Sequence, residues 1–228
     1  MKTKFTPEYS GTLRSHLLTV PKCISECGGI LIKKYKAPYL SNNVVSDVAI
    51  IKNVNADAII AVYPFTPQPS ITQAIISVSE VPVFVGVGGG MTNGDRSVRL
   101  AEFSEHQGAS GVVVNAPISN ETIAKMKAVV DIPVVTTIVS GDMDIAGRLA
   151  AGADILNVSG ASRTPEIVTK IRAEVPTVPI IATGGPREED ILRTIEAGAN
   201  AITYTPPTTG QLFADIMISH RKNFSHQD

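Results

Sequence analysis

The chain contains 228 residues, of which 43% are hydrophobic and 18% are charged, and it has no tryptophan. This composition is typical of a folded globular protein rather than a disordered one. The net charge of -1, with lysine and arginine scattered along the chain, argues against a dedicated nucleic-acid-binding surface. No apolar run approaches the length of a membrane span, and residues 1–10 lack a signal core. We therefore expect no membrane partner, a cytoplasmic location and one domain over residues 1–228.

Residues 1–28 are predicted to form an N-terminal extension that is partly helical from Pro21 and covers the lower mouth of the fold that follows. Cys23 and Cys27 lie four residues apart on this helix, so their thiols would stack on one face. We expect a buried and reduced pair, because cytosolic disulfides are rare and the neighbourhood lacks the further ligands of a metal site.

Residues 29–33 are interpreted as the first strand, and its return helix is expected within residues 41–53. Two sequence phrases then alternate. In one, an X-Pro step at Pro82, Pro133 or Pro179 forces the chain to be extended and opens an apolar run. In the other, as in residues 152–156 (Gly-Ala-Asp-Ile-Leu) and 198–202 (Gly-Ala-Asn-Ala-Ile), a helix ends, usually at glycine, and a strand begins. These phrases predict seven further strands, at about 57–63, 82–88, 111–116, 133–139, 155–159, 179–183 and 201–205.

The segments between these strands have apolar residues at helical spacing, such as Ile123, Met126 and Val130. Apolar strands that alternate with helices indicate a parallel sheet whose outer face is covered. Eight such units close a (β/α)₈ TIM barrel. An open doubly wound sheet is the alternative, but the even repeats give no sign of the reversal in strand order that it requires.

Barrel enzymes place their sites where the strands end, and there this sequence has mostly uncharged polar residues. Asn115, Thr137 and Asn157 are the candidates to orient or polarise the oxygens of a ligand. The last two strand ends are the most specific feature, because glycine amides, helix N-termini and threonine hydroxyls together favour a phosphate group. The predicted phosphate-binding residues are Thr183, Gly184, Gly185, Thr205, Thr208, Thr209 and Gly210.

Residues 180–185, followed by 196–203, resemble the end of the ribulose-phosphate-binding barrel superfamily. The nearest similarity is to N-acetylmannosamine-6-phosphate epimerases and to glycerol uptake operon antiterminator proteins. The resemblance implies phosphate binding by the last two loops, and it matches at residue level over about the last third of the chain. An aldolase of this superfamily would carry its Schiff-base lysine on the sixth strand, where this sequence has Asn157.

No aspartate or glutamate stands at a strand end, and no histidine cluster or Ser-His-Asp arrangement is apparent. Lys33 and Lys34 at the end of the predicted first strand are therefore the candidate catalytic bases or nucleophiles, with Tyr63 and Tyr204 as weaker candidates. Because side chains alternate between the two faces of a strand, only one of the two lysines can point into the barrel. The sequence leaves open which one it is.

Two functions follow from these residues. The first is an isomerase, epimerase or lyase that acts on a small phosphorylated metabolite, without a metal. The second is a non-enzymatic ligand-sensing regulator of the antiterminator type. We expect no cofactor, with FMN as an alternative for the phosphate loops, and homo-oligomerisation is left open.

Overall fold

The computed structural model describes residues 18–32, 35–37, 39–42, 47–62 and 65–224. Two short strands, β1 (Ile30–Ile32) and β2 (Tyr35–Ala37), form an antiparallel hairpin. Eight further strands run parallel and close into one barrel. They are β3 (Tyr39–Asn42), β4 (Ala58–Ala61), β5 (Val83–Gly88), β6 (Gly111–Val114), β7 (Val134–Ile138), β8 (Ile155–Val158), β9 (Ile180–Thr183) and β10 (Ala201–Tyr204).

Helices alternate with these strands, and β10 pairs with β3 to close the ring. The helices are α1 (Val48–Asn53), α2 (Pro69–Val78), α3 (Asp95–His106), α4 (Asn120–Lys127), α5 (Ile145–Ala150), α6 (Thr164–Glu174), α7 (Glu188–Glu196) and α8 (Thr209–Phe224). The predicted TIM-barrel fold is confirmed. No helix in the described part of the chain is both long and apolar enough to cross a lipid bilayer.

Seven of the eight predicted strands coincide with barrel strands, but the predicted first strand is wrong. Residues 30–32 pair only with β2, and β3 closes the barrel instead. The predicted return helix is also shorter than expected, because α1 begins only at Val48. The sequence carries the overlooked signal: Pro38 precedes Tyr39, so β3 follows the same X-Pro step as three of the other strands.

The barrel has an interior core and an outer core beneath the helices. The interior core contains Ala58, Ile60, Phe84, Val113, Val135, Ile155, Ile181 and Ala201. Ile30 belongs to the same cluster, and the amide of Gly29 donates to the carbonyl of Asn200 just before β10. The hairpin residue Ile30 therefore packs at the N-terminal end of the barrel, where the extension had been expected to lie.

The second sequence phrase has a structural reason, because its polar residue holds the start of a neighbouring strand. Asp154 Oδ2 accepts a hydrogen bond from the amide of Val134 (2.8 Å) and contacts Lys127 Nζ (2.8 Å). Asn200 Oδ1 accepts from the amide of Ile180 (2.9 Å) and from the guanidinium of Arg172. A basic side chain from a crossover helix thus completes each of the two contacts.

The described part of the N-terminal extension packs beside α7 and α1. Its 3₁₀ helix (Lys22–Glu26) contacts α7, and Leu18 pairs with Val54 at the end of α1. Cys23 and Cys27 are free and buried here, as predicted. Burial, with a smaller contribution from Cys23, raises the pKa of the Cys27 thiol to about 12. The extension therefore occupies the side of the barrel where an eighth helix commonly packs.

Candidate functional site

An upper layer of inward-facing residues lies above the interior core, toward the C-terminal mouth. Side chains alternate along a strand, so the residue two positions after each interior-core residue near the mouth also faces the barrel axis. The layer comprises Val62, Gly86, Asn115, Thr137, Asn157, Thr183 and Thr203. Five of these seven residues are polar, and none of the seven has an ionisable side chain.

Four polar residues of this layer lie on the adjacent strands β7 to β10, and we call them the threonine–asparagine arc: Thr137, Asn157, Thr183 and Thr203. The amide group of Asn157 donates from Nδ2 to Thr137 Oγ1 (3.3 Å). The hydroxyl of Thr183 donates to Ser159 Oγ (3.3 Å). The first bond joins two members of the arc and leaves the hydroxyl hydrogen of Thr137 available as a donor, whereas the second joins the arc to Ser159.

Two atoms of the arc are buried without a hydrogen-bond partner. They are Asn157 Oδ1 and Thr203 Oγ1, and only 4% of Thr203 is exposed. A buried polar atom without a partner costs free energy, and such atoms are few in native proteins. Both residues lie on inward-facing positions, so these two oxygens are polar atoms of the site that the protein itself leaves unpaired.

Asn115 lies at the rim of the mouth rather than in its floor. Its side chain is exposed, and its backbone amide donates to the carbonyl of Gly88 (2.9 Å). Gly89 has a φ of +95°, and a Cβ added to it would lie 2.5 Å from the backbone nitrogen of Asn115. The glycine-rich loop therefore folds onto β6 in a way that only glycine allows at this position.

The opposite side of the upper layer encloses a cavity of about 120 Å³ between β4, β5 and β6. Gly86 contributes no side chain to the floor there, and a Cβ placed on it would lie 2.8 Å from Val62 Cγ1. Phe65 and Met91 line the same cavity from the two following loops. The floor of the mouth is therefore polar on one side and apolar on the other.

The seventh loop of the barrel carries three of the predicted phosphate-binding residues. Thr183 belongs to the arc, and the amide of Gly184 lies 3.5 Å from the carbonyl of Thr203. Gly185 has a φ of +86° and packs closely on Asp190, whose carboxylate pairs with Arg187 (2.9 Å). The first turn of α7 thus already contains carboxylates, including Glu188 and Glu189.

The eighth loop carries the other predicted phosphate-binding residues, and two of its amides already have protein acceptors. The amide of Thr208 donates to Gln211 Oε1 (2.8 Å), and the amide of Thr209 donates to Asp47 Oδ2 (2.8 Å). The hydroxyl of Thr209 donates to the same carboxylate oxygen. In this structure the carboxylate of Asp47 therefore occupies the position at the N-terminus of α8 that was predicted for a phosphate.

Asp47 also accepts a hydrogen bond from the amide of Ile50 at the start of α1 (3.3 Å). Desolvation acts to raise the pKa of the Asp47 carboxyl, but the hydrogen bonds from Thr209 and Ile50 outweigh it, so this pKa lies below its usual value. Asp47 is therefore a carboxylate at neutral pH. The remaining predicted residues of this loop, Thr205 and Gly210, are exposed.

A second cavity, of about 360 Å³, lies between the sixth and seventh loops, next to Thr183. Its lining includes Ser162, Gly185, Arg187 and Arg193. Arg187 is already paired with Asp190, whereas Arg193 is exposed on the following turn of α7. Asp190 also lines this cavity and offsets the charge of Arg187, so Arg193 supplies the net positive charge beside the arc in a lining that is mainly apolar.

The predicted catalytic lysines, Lys33 and Lys34, lie outside the described residues, as does Tyr63. The strand that was expected to bring a lysine to the mouth is not a barrel strand, because residues 30–32 belong to the hairpin. The structure thus removes the argument that placed these lysines at the site.

The structure brings together Thr137, Asn157 and Thr183 as predicted neighbours on consecutive strands, but three contributors were missed. Gly86 and Val62 were not predicted because only the residues at the ends of the predicted strands were considered as site residues. Both lie inside the predicted strands 57–63 and 82–88. Asp47 was overlooked because an aspartate just before a helix indicates an N-cap, and the same signal does not reveal that it reaches a second helix.

Comparison with known proteins supports the fold alone. No family model matches the chain, and no curated protein matches it. Among solved structures, 2,3-dimethylmalate lyase, a PEP mutase/isocitrate lyase superfamily member, has a TM-score of 0.62 at 12% identity, with 90% of this chain and 86% of that chain covered. A protein from Burkholderia cenocepacia J2315 named as a phosphonomutase has a TM-score of 0.58 at 14% identity. The match covers 83% of this chain and 92% of that chain.

A third structure is named as a dihydrodipicolinate synthetase from Pseudomonas aeruginosa. It has a TM-score of 0.53 at 20% identity. The match covers 66% of this chain and 59% of the length of that protein. These three structures are TIM barrels, and the similarity shows that this chain has the same fold. The resemblance to the ribulose-phosphate-binding superfamily remains a prediction from the sequence.

Proposed function

We propose that this chain binds a small oxygen-bearing metabolite at the C-terminal mouth of the barrel and transforms it as an isomerase or a lyase. The threonine–asparagine arc carries the proposal. It presents a hydroxyl donor on Thr137 and two buried oxygens without partners, on Asn157 and Thr203. These groups match the hydroxyl and carbonyl oxygens of a metabolite, and burial strengthens such hydrogen bonds.

The enzymatic part of the proposal draws on the fold and on the names of similar structures. TIM-barrel enzymes act at this end of the strands, and the names of the three similar structures are those of a lyase, a mutase and a synthetase. In this proposal Thr137 and Asn157 orient the ligand, and Asn115 contacts it from the rim. Lys33 and Lys34 are not assigned a role, and cytoplasmic location stays a prediction of the sequence.

A narrower form of the proposal is that the metabolite carries a phosphate group. The amides of Thr208 and Thr209 already have acceptors, so a phosphate at the eighth loop would have to displace the carboxylate of Asp47. The cavity that contains Ser162, Gly185 and Arg193 offers an alternative place beside Thr183. A phosphorylated metabolite would then extend from the arc into this cavity, where Arg193 would offset part of its charge.

One observation favours a ligand sensor as the second candidate function. None of the seven side chains of the upper layer can exchange a proton near neutral pH, so this layer suits binding better than acid–base chemistry. A sensor would bind the same metabolite and release it unchanged.

Thermal unfolding in the presence of small metabolites tests the proposal. The panel pairs phosphorylated compounds with their unphosphorylated forms. At about a hundredfold excess over its Kd, a true ligand should raise the Tm by roughly 5 to 11 °C. We expect the shift to be lost in Asn157→Leu and Thr203→Val, and to be kept in Thr136→Val, whose hydroxyl is buried but faces the helices.

The same compounds then separate the candidate functions. Product formation detected by NMR would identify an enzyme, whereas a bound compound that is recovered unchanged would identify a sensor. If only phosphorylated compounds shift the Tm, and Arg193→Ala abolishes their effect, the narrower proposal holds. A panel in which no compound shifts the Tm of the wild type would remove the proposed function.

A further inference from the structure

We propose that the ligand of this mouth is two-ended, with an apolar group of about four or five carbon atoms beside its oxygen-bearing end. This inference rests on the proposed function and specifies the class of substrate. The oxygens would face the threonine–asparagine arc, and the apolar group would fill the cavity between β4, β5 and β6.

The first observation is the asymmetry of the upper layer. In the upper layer, the inward position of each strand from β7 to β10 carries a hydroxyl or an amide, whereas those of β4 and β5 carry Val62 and Gly86. The polar and apolar sides are contiguous, because β6 pairs with β5 on one side and with β7 on the other. One small molecule can therefore contact both sides at once.

The second observation is the size of the space next to Gly86. The cavity measures about 120 Å³, somewhat less than an engineered cavity of about 150 Å³ that holds benzene. A branched or cyclic group of about four or five carbons has this size. Val113 also lines the cavity and is buried in the interior core, so the lower wall is hydrocarbon.

The third observation is the exposure of apolar side chains at the entrance of the cavity. Met91 is 87% exposed and Phe65 is 70% exposed, which places both among the most exposed large apolar residues in the described part of the chain. Both side chains line this one cavity, from two different loops. An apolar group bound between them would remove both from water, and burial of apolar surface is favourable.

Polar groups are present at the edge of the cavity, and they limit where the apolar group can lie. Thr66, Thr92 and Asn115 contribute to the lining, and the buried hydroxyl of Thr92 has no hydrogen-bond partner. The apolar group would therefore contact Val62, Val113 and the entrance, and a single polar atom of the ligand would face Thr92.

A pair of 1,2-diols tests the inference on the full chain. Ethane-1,2-diol presents only the oxygen-bearing end, and 1,2-hexanediol adds a four-carbon tail. The protein is labelled with ¹³C at its methionine methyl groups, and the Met91 signal is assigned with Met91→Leu. We expect 1,2-hexanediol to shift the Met91 signal with a Kd at least about tenfold lower than that of ethane-1,2-diol, because the tail is buried.

Met126 is fully buried in the outer core, so its signal should stay unchanged and serves as the internal reference. Val62→Phe should fill the cavity and abolish the preference for the longer diol. Phe65→Ser changes an exposed residue, so it tests the same contact with little effect on folding. It should weaken the binding of 1,2-hexanediol but not that of ethane-1,2-diol. Asn157→Leu should raise the Kd of both diols by the same factor.

Equal affinities for the two diols, or an unchanged preference in both Val62→Phe and Phe65→Ser, would overturn the apolar subsite. The proposed function would survive that result if metabolites of the panel still raise the Tm through Asn157 and Thr203. Failure of the panel would instead remove the site itself, so the two failures are distinguishable.

Discussion

Thr203 and Thr136 are both buried threonines whose hydroxyls lack a partner, but they face opposite sides of the barrel wall. Thr203 faces the mouth, whereas Thr136 lies between Val134 and Ile138, which belong to the outer core. Neither hydroxyl stabilises the fold by a hydrogen bond. Only the one on Thr203 has a position in which a ligand could satisfy it.

We therefore expect Thr203→Val and Thr136→Val each to raise the free energy of unfolding by about 1 kcal/mol, because each removes a buried polar atom without a partner at nearly constant volume. Urea unfolding measures both effects. The two variants should differ in ligand binding, which only Thr203→Val should impair. If Thr203→Val destabilises the protein, its hydroxyl has a structural role and is not available to a ligand.

Asp47 joins two helices through one carboxylate, and its contribution should depend on pH. We expect Asp47→Ala to lower the free energy of unfolding by about 1 kcal/mol at pH 7, because the amides of Thr209 and Ile50 lose their acceptor. The folded-state pKa lies below the unfolded value, so this stabilisation is complete above about pH 4 and is lost as the pH falls through the folded pKa.

Unfolding curves of the wild type and of Asp47→Ala between pH 3 and pH 7 measure this difference. A gap that stays constant down to pH 3 would show that the charge of Asp47 is not involved. The same variant frees the amide of Thr209, so any affinity for inorganic phosphate should rise. Unchanged phosphate affinity would remove the eighth loop from the phosphate proposal.

The polar residues of the site could be predicted from the sequence because they directly follow or end apolar runs. Thr137, Asn157 and Thr183 were identified in this way. Gly86 could not be recognised, because a glycine within an apolar run gives no sign of the space that its missing side chain leaves. The partner of Thr209 could not be found either, since Asp47 lies 162 positions away in the chain.

At the scale of elements, side-chain contacts hold the starts of β7 and β9 to a neighbouring strand. Asp154 bonds the amide of Val134 and Lys127, and both groups are partly buried. Asp142, by comparison, pairs with Lys170 while 93% exposed. The first contact satisfies a backbone group, whereas the second is an exposed ion pair of the kind that contributes little.

Asp154→Ala should therefore lower the free energy of unfolding by about 1 to 3 kcal/mol, because it leaves the amide of Val134 without its acceptor. Asp142→Ala is the matched control and should change the stability by less than about 0.5 kcal/mol. Chemical denaturation measures both. Equal effects would mean that Asp154 acts only as a surface charge, and ligand-induced shifts in Tm should be unaffected in either variant.

Seven barrel strands could be predicted because each combines an X-Pro step or a helix-to-strand junction with an apolar run. The first strand could not, because two candidates compete within a few residues. Residues 30–32 are the more apolar, and Ile30 is buried in the interior core although its strand has no place in the barrel. The residues of β3 are more polar, which outweighs the X-Pro step at Pro38, and their pairing with β10 and β4 identifies the strand.

At the scale of the whole molecule, α8 exposes several large apolar side chains among the described residues. Phe213 is 66% exposed, Ile216 is 54% exposed and Ile218 is 49% exposed. The extension that includes Ile24 packs against α7, on the side of the barrel where an eighth helix commonly lies. An amphipathic helix owes most of its stability to packing, so we propose that α8 forms the interface of a homo-oligomer, a question that the sequence left open.

Sedimentation velocity tests this expectation. The wild type should sediment as an oligomer with at least twice the chain mass of 24.1 kDa, and Ile216→Asp should shift it toward the monomer. Leu31→Asp places the same charge on a residue that is 72% exposed elsewhere and should leave the mass unchanged. A wild type that sediments as a monomer at micromolar concentration would contradict an interface on α8.

The binding of an oxygen-bearing metabolite by the mouth is tested most directly by a crystal structure of the protein with the compound that raises the Tm most. We expect density in the barrel mouth, with ligand oxygens within hydrogen-bond distance of Asn157 Oδ1 and Thr203 Oγ1. Density for the compound at another surface, with both of these atoms unoccupied, would contradict the proposed site.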